Sequence, residues 1–122
     1  MAGVSTYLEV PPALDGSTPN NSTSLAYEAS RIIKSGPGLL LGLSGYNSKA
    51  SGQFVLLFDA TSVPIDGTVA QVVVTVPTVS NFSIDFGMYG RAFKRGIVVC
   101  NSSTAPTKTI GSADVFFDAQ FV

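Results

Sequence analysis

From about Tyr27 to the C-terminus, apolar side chains recur at every second position in short runs, and Gly, Pro, Asn and Asp separate the runs. A period of two is what a strand with one buried face requires, because successive side chains point to opposite sides of the pleat. Phe82, Ile84 and Phe86 alternate with Ser83 and Asp85, while Val115, Phe117, Ala119 and Phe121 alternate with Phe116, Asp118 and Gln120. Each series predicts a half-buried strand. Residues 53–58 are apolar on both faces and are expected to lie centrally in a sheet. Further strands are expected over 31–34, 39–46, 69–76 and 93–100. Within 39–46, Gly42 and Gly45 predict a bulge or the close approach of another backbone. Pro64 and the Asp66-Gly67 pair predict a reversal, and Pro77 ends the run before it because proline cannot donate to a ladder. Residues 25–34 are the one competitor for a helix, and the Ile32-Ile33 pair with the following Gly36-Pro37-Gly38 favours a strand there. About seven or eight short strands without a sustained helical period predict an all-β fold: an antiparallel two-sheet β-sandwich, jelly-roll-like.

Residues 1–24 differ in kind. A short apolar group (Val4, Tyr7, Leu8, Val10) precedes Pro11-Pro12, and the tract from Ser17 to Ser24 is polar throughout except for Pro19. Proline fixes φ, and a polar tract has nothing to bury against its own ordering entropy. The expectation is an extended N-terminal arm, residues 1–24, ahead of a sandwich domain, residues 25–122. Apolar Tyr7, Leu8 and Val10 beyond that linker are what an arm needs to dock on a neighbouring subunit.

The chain has 122 residues, of which 45% are hydrophobic and 12% charged. The charged share is about half the usual one, so Ser, Thr, Asn, Gln and Gly must carry the surface. Such a surface is easily desolvated, and a net charge of −1 supplies little repulsion between copies. Association follows, and a homo-oligomer, trimer or dimer, is expected. The same weak field offers no global attraction for nucleic acid or an anionic bilayer, and neither partner is expected. No run of about 18 apolar residues is present to span a membrane. The first residues lack the basic and long apolar regions of a secretory signal, so synthesis in the cytoplasm is expected.

Chemistry is sparse. With no His and one Cys, neither a Ser-His-Asp arrangement nor a zinc tetrad can be assembled, and no metal, cofactor or enzymatic activity is expected. Cys100, inside Ile97-Val98-Val99, reads as a buried strand thiol. Gly36-Pro37-Gly38 lacks the Lys-Ser/Thr that follows in a phosphate-cradling loop. Asp59 and Asp66 flank one reversal and could be imagined around calcium, but turn Asp residues usually cap. Asp114 and Asp118 on one strand would stand about 13 Å apart, too far for a hydrolytic pair, which leaves only a cross-strand Asp pair for a minimal hydrolase. Arg91, Lys94 and Arg95 concentrate positive charge, and on a continuous strand Arg91, Phe93 and Arg95 would share a face. That face would suit an anion, single-stranded nucleic acid included, though a charged edge strand that discourages mispairing is the simpler reading. The sequon asparagines Asn20, Asn21, Asn81 and Asn101 read as turn formers.

The segments Arg31-Ile32-Ile33-Lys34-Ser35-Gly36-Pro37-Gly38-Leu39, Gly42 to Asn47, Phe58-Asp59, Pro64-Ile65-Asp66-Gly67, Phe82-Ser83-Ile84-Asp85-Phe86, Gly90-Arg91 and Gly96-Ile97-Val98-Val99-Cys100-Asn101-Ser102-Ser103-Thr104 resemble small β-sandwich virion proteins of tailed bacteriophages. The resemblance is greatest to capsid decoration, or cement, proteins, and covers roughly residues 27–122. It implies a non-enzymatic structural protein on the outer capsid surface of the virion, with the major capsid protein and further copies of itself as partners. Tyr7, Leu8, Val10, Arg91, Phe93 and Arg95 are the candidate contact residues. The alternative is a tail or fibre module that recognises a glycan through Tyr46 or Tyr89.

Overall fold

Nine strands are present in the computed structural model, which describes residues 19–122: β1 (Asn20–Thr23), β2 (Ser30–Lys34), β3 (Gly38–Asn47), β4 (Gln53–Phe58), β5 (Val72–Val76), β6 (Ser80–Asp85), β7 (Arg91–Phe93), β8 (Ile97–Ser102) and β9 (Val115–Phe121). The pairings nest. β1 pairs with β9, β2 with β8, β3 with β6 and β4 with β5, all antiparallel. One sheet runs β1-β9-β3-β6 with β7 also beside β3, and the other runs β2-β8-β4-β5. A long antiparallel ribbon closed by the β4–β5 connection and wound across two layers has this strand order, the jelly-roll form of the sandwich.

Alternation decides what lies between the layers. Leu40, Leu43, Phe82, Val115, Phe117 and Ala119 of the first sheet meet Ile33, Val55, Leu57, Val76, Ile97 and Val99 of the second. β4 and β8 are apolar on their other face as well, where Leu56, Phe58, Val98 and Cys100 form a second, smaller cluster. The β4–β5 and β8–β9 connections cover it with Ala60, Ala70 and Ala105. That covering layer explains why the two central strands read as unbroken apolar runs.

Gly45 is required by packing. A Cβ there would strike the Phe116 carbonyl oxygen and lie 2.6 Å from the Phe82 ring. Three residues earlier the β3–β9 register shifts between Leu40 and Gly42, so both the bulge and the close approach expected of this glycine-containing strand occur.

Four expectations change. The stretch 93–100 is not one strand: β7 ends at Phe93 in the first sheet, Lys94 to Gly96 cross over, and β8 begins at Ile97 in the second. Gly96 permits the crossing, because a Cβ there would strike the Ala60 carbonyl oxygen and come within 2.8 Å of that of Lys34. The stretch 69–76 is strand only from Val72, since Val69 bridges Thr107 instead. Asn20–Thr23, the end of the polar tract, is paired strand at the sheet edge. The sequon asparagines sit in strands rather than turns, Asn101 fully buried. A polar side chain is compatible with a strand wherever its face meets water or a partner, which hydropathy alone does not report.

Candidate functional site

The four carboxylates singled out by sequence, Asp59, Asp66, Asp114 and Asp118, are committed to structure. Oδ1 of Asp59 accepts the Arg95 amide at 2.7 Å and that of Gly96 at 3.3 Å, while Oδ2 accepts Lys94 at 3.2 Å. These bonds, the Arg95 amide first, hold the Asp59 carboxyl below its ordinary range against a smaller opposing effect of desolvation. Asp66 accepts Lys108 Nζ at 2.8 Å and the Ile110 amide at 3.1 Å. Its carboxyl is also lowered, mainly by Lys108, whose own side chain is buried. Asp114 accepts Gln53 Nε2 at 2.8 Å and Asn101 Nδ2 at 2.9 Å, part of a polar lock with buried Asn47 that ties the two sheets at one end. Asp118 accepts Thr23 Oγ1 at 3.1 Å and Gln120 Nε2 at 3.2 Å. Among the described residues no group of three or more His, Cys, Asp or Glu could hold a metal ion, and Asp59 and Asp66 face different loop segments.

Arg91, Phe93 and Arg95 do not form one surface. Phe93 belongs to the core, the Arg91 guanidinium lies 5.7 Å from the Phe93 ring centroid, and Arg95 sits beyond the strand end with its amide on Asp59. The strand ends too early for period two to hold across these positions. Tyr7, Leu8 and Val10 lie outside the described residues. Cys100 is buried beneath the covering loops, where desolvation pushes its thiol up to about 11.

Two surfaces remain. On the first, the two covering loops are zipped together by Gly67 N–H to the Lys108 carbonyl, Lys108 N–H to that of Thr68, and Ala70 N–H to that of Pro106, at 2.8, 2.9 and 3.0 Å. Gly67 has φ +91°, the left-handed conformation that the Asp66-Gly67 reversal demands. Held in this way, the loops expose Ile65 (82%), Val69 (58%) and Ile110 (40%) to solvent. Period-two reading passes over Ile65 and Ile110 and assigns Val69 to a strand, because none of the three belongs to a regular strand.

On the second surface, the outer face of the first sheet, the register places side chains in rows. Gly42 lies between Asp85 and Gln120, Ser44 between Ser83 and Asp118, and Tyr46 between Asn81 and Phe116. The Phe116 ring also stacks on Tyr27, centroids 4.4 Å apart. The turn Gly87–Gly90, closed by Gly90 N–H to the Gly87 carbonyl at 3.2 Å, rises beside this face with Met88 and Tyr89 exposed. Asp85 Oδ1 anchors it through the Gly87 amide at 2.7 Å. Between turn and sheet lies a groove of about 500 Å³, lined by Leu41, Gly42, Ser44, Ser83, Asp85, Met88 and Gln120 among others. Tyr46 and Tyr89, the two tyrosines singled out by sequence, therefore flank opposite ends of β3.

No family model matches the chain, and no curated protein matches it. Among solved structures it is similar to the coat protein of Tobacco streak virus, at 13% identity and a TM-score of 0.45, over 85% of this chain and 84% of that one.

Proposed function

We propose that this chain is a non-enzymatic structural protein of a bacteriophage virion that binds the outer capsid surface and stabilises the shell. The observation that carries the reading is the hydrogen-bonded loop surface on which apolar Ile65, Val69 and Ile110 are exposed. Exposed apolar side chains grouped on an ordered scaffold mark a contact surface. Here the Asp66–Lys108 pair and the inter-loop hydrogen bonds hold them in place before any partner arrives, which lowers the entropy cost of docking. The carboxylates support the same reading from the other side, since Asp59, Asp66 and Asp114 are engaged in holding loops and sheets together.

The partner in this reading is the major capsid protein, with further copies of this chain beside it. The mechanism is mass action. A ligand that binds only the assembled shell stabilises it, and weak sites repeated on a lattice reinforce one another through effective concentration. Tyr7, Leu8 and Val10 of the N-terminal arm, Arg91 of β7 and Arg95 of the crossover that follows it are proposed as secondary contacts.

The test is binding of the purified full chain to capsids that lack it, with shell unfolding temperature as readout. Ile65→Asp with Val69→Asp should abolish shell binding and leave the protein's own unfolding temperature unchanged. Wild-type shell binding by that variant would remove the loop surface from the mechanism, and failure of the wild-type chain to bind or stabilise any capsid would remove the function.

A further inference from the structure

The groove on the outer face of the first sheet is a second feature, away from the covering loops, and its chemistry differs from theirs. Its floor is low because Gly42 has no side chain: a Cβ there would meet nothing nearer than Gln120 Oε1 at 3.4 Å and the Ile84 carbonyl at 3.6 Å. Met88 and Leu41 make one wall apolar. Ser44 and Ser83 face each other across the strand pair, and Asp85 and Gln120 flank Gly42 in the neighbouring row. Asp85 uses Oδ1 on the Gly87 amide, and Gln120 uses Nε2 on Asn21 Oδ1 and Asp118 Oδ1, which leaves Asp85 Oδ2 and Gln120 Oε1 without partners among the described residues. Asp85 is the one charged residue among those lining the groove.

These groups select for one kind of ligand. Two hydroxyls, each donor and acceptor, beside two acceptor oxygens call for a partner rich in hydroxyl donors. The Leu41 and Met88 wall calls for a partner with an apolar C–H face as well. A carboxylate without a neighbouring cation disfavours anions, so phosphates, acidic sugars and nucleic acid are poor fits. The volume falls within the usual range of small-molecule sites. Pyranose rings combine hydroxyl edges with C–H faces, and an oligosaccharide extending along β3 would next meet half-buried Tyr46 and the exposed, stacked Phe116 and Tyr27. From these features we infer that the groove binds a neutral glycan, with Ser44, Ser83, Asp85 and Gln120 as its hydrogen-bonding groups.

The inference stands apart from the shell-binding reading. The site lies on the first sheet, whereas the loop surface covers the second, so each fails or survives by itself. The experiment probes the full-length protein on an array of neutral oligosaccharides and their carboxylated or sulfated counterparts, followed by calorimetric titration with the best-bound neutral one. Neutral glycans should bind and acidic counterparts bind more weakly. Gly42→Leu, which fills the floor, should abolish binding, and Ser83→Ala should weaken it by about tenfold, as expected for one lost buried hydrogen bond. Asp85→Asn should narrow the preference for neutral over acidic sugars. Both Gly42→Leu and Ser83→Ala should keep the wild-type unfolding temperature and bind shells as wild type does. If Gly42→Leu fails to fold, Ser83→Ala decides. No bound glycan on the array, a preference for acidic sugars, or wild-type affinity in the folded variants would overturn the assignment.

Discussion

The amide nitrogen of Arg95 lies 2.7 Å from Oδ1 of Asp59, 36 residues earlier in the chain. With the Lys94 and Gly96 amides on the same carboxylate, this bond fastens the crossover from β7 to β8 to the end of β4, where the chain passes between sheets. The residues that cross have no strand partners of their own at this point, and Asp59 supplies acceptors for their donors.

The pH dependence follows from that contact. The folded-state carboxyl of Asp59 is held below its unfolded value, so its contribution to stability is complete above the unfolded value and is lost as pH falls through the folded one. Asp59→Asn should lower the unfolding temperature at neutral pH and flatten its decline between neutral and acidic pH. Thermal unfolding followed by circular dichroism at a series of pH values checks both, and parallel curves for the two proteins would contradict the role given to the carboxylate.

Gly45 and Gly36 make a controlled pair. A Cβ at Gly45 meets the Phe116 carbonyl and the Phe82 ring, whereas one at Gly36 meets nothing within 4 Å. Gly45→Ala should cost about 1–3 kcal/mol, the usual range for forcing atoms into a filled interior. Gly36→Ala should stay within about 0.5 kcal/mol of wild type. Urea titrations of the two variants give the comparison directly.

Val79 carries φ +42° in the turn between β5 and β6, where its amide donates to the Lys49 carbonyl at 3.0 Å. A β-branched side chain is poorly suited to that left-handed region. Val79→Gly or Val79→Asn should raise stability by about 1 kcal/mol, the low end of the strain such residues hold. Its side chain is more than half exposed, so little packing is lost in exchange. An unchanged or lower denaturation midpoint for both variants would show that the turn holds no such strain.

Cys100 is fully buried and its thiol is pushed up to about 11. Since the thiolate is the reactive form, the folded protein should resist alkylation by iodoacetamide at pH 8 and react at the rate with which the loops or the whole chain open. Mass spectrometry in native buffer and in urea measures the contrast. Rapid labelling of the native state would mean that the covering loops leave the thiol accessible.

Much of the fold was legible in the residues because two-sided burial and one-sided burial leave different marks. The alternation at Phe82–Phe86 and Val115–Phe121 reported one buried face, and the unbroken apolar run from Phe54 to Phe58 reported two. The break between Phe93 and Ile97 was not legible. Phe93 and Ile97 are both buried, so the run looked continuous although its two ends belong to different sheets. The functional surfaces were less legible still. Ile65, Val69 and Ile110 reach one surface only through the inter-loop hydrogen bonds, and Ser44, Ser83, Asp85 and Gln120 meet only through strand register.

By itself the sequence determined the all-β class, most of the strand positions, the buried thiol and the absence of histidine chemistry, because each depends on local side-chain pattern or on which residue types exist at all. Tertiary structure alone decided the nested pairing, the layer of loops over the second sheet and the groove beside Gly42. The physical reason is that register and sheet assignment arise from contacts between segments far apart in the chain. No local periodicity specifies which distant strand becomes a neighbour, and a surface site assembled from several strands exists only after that choice is made.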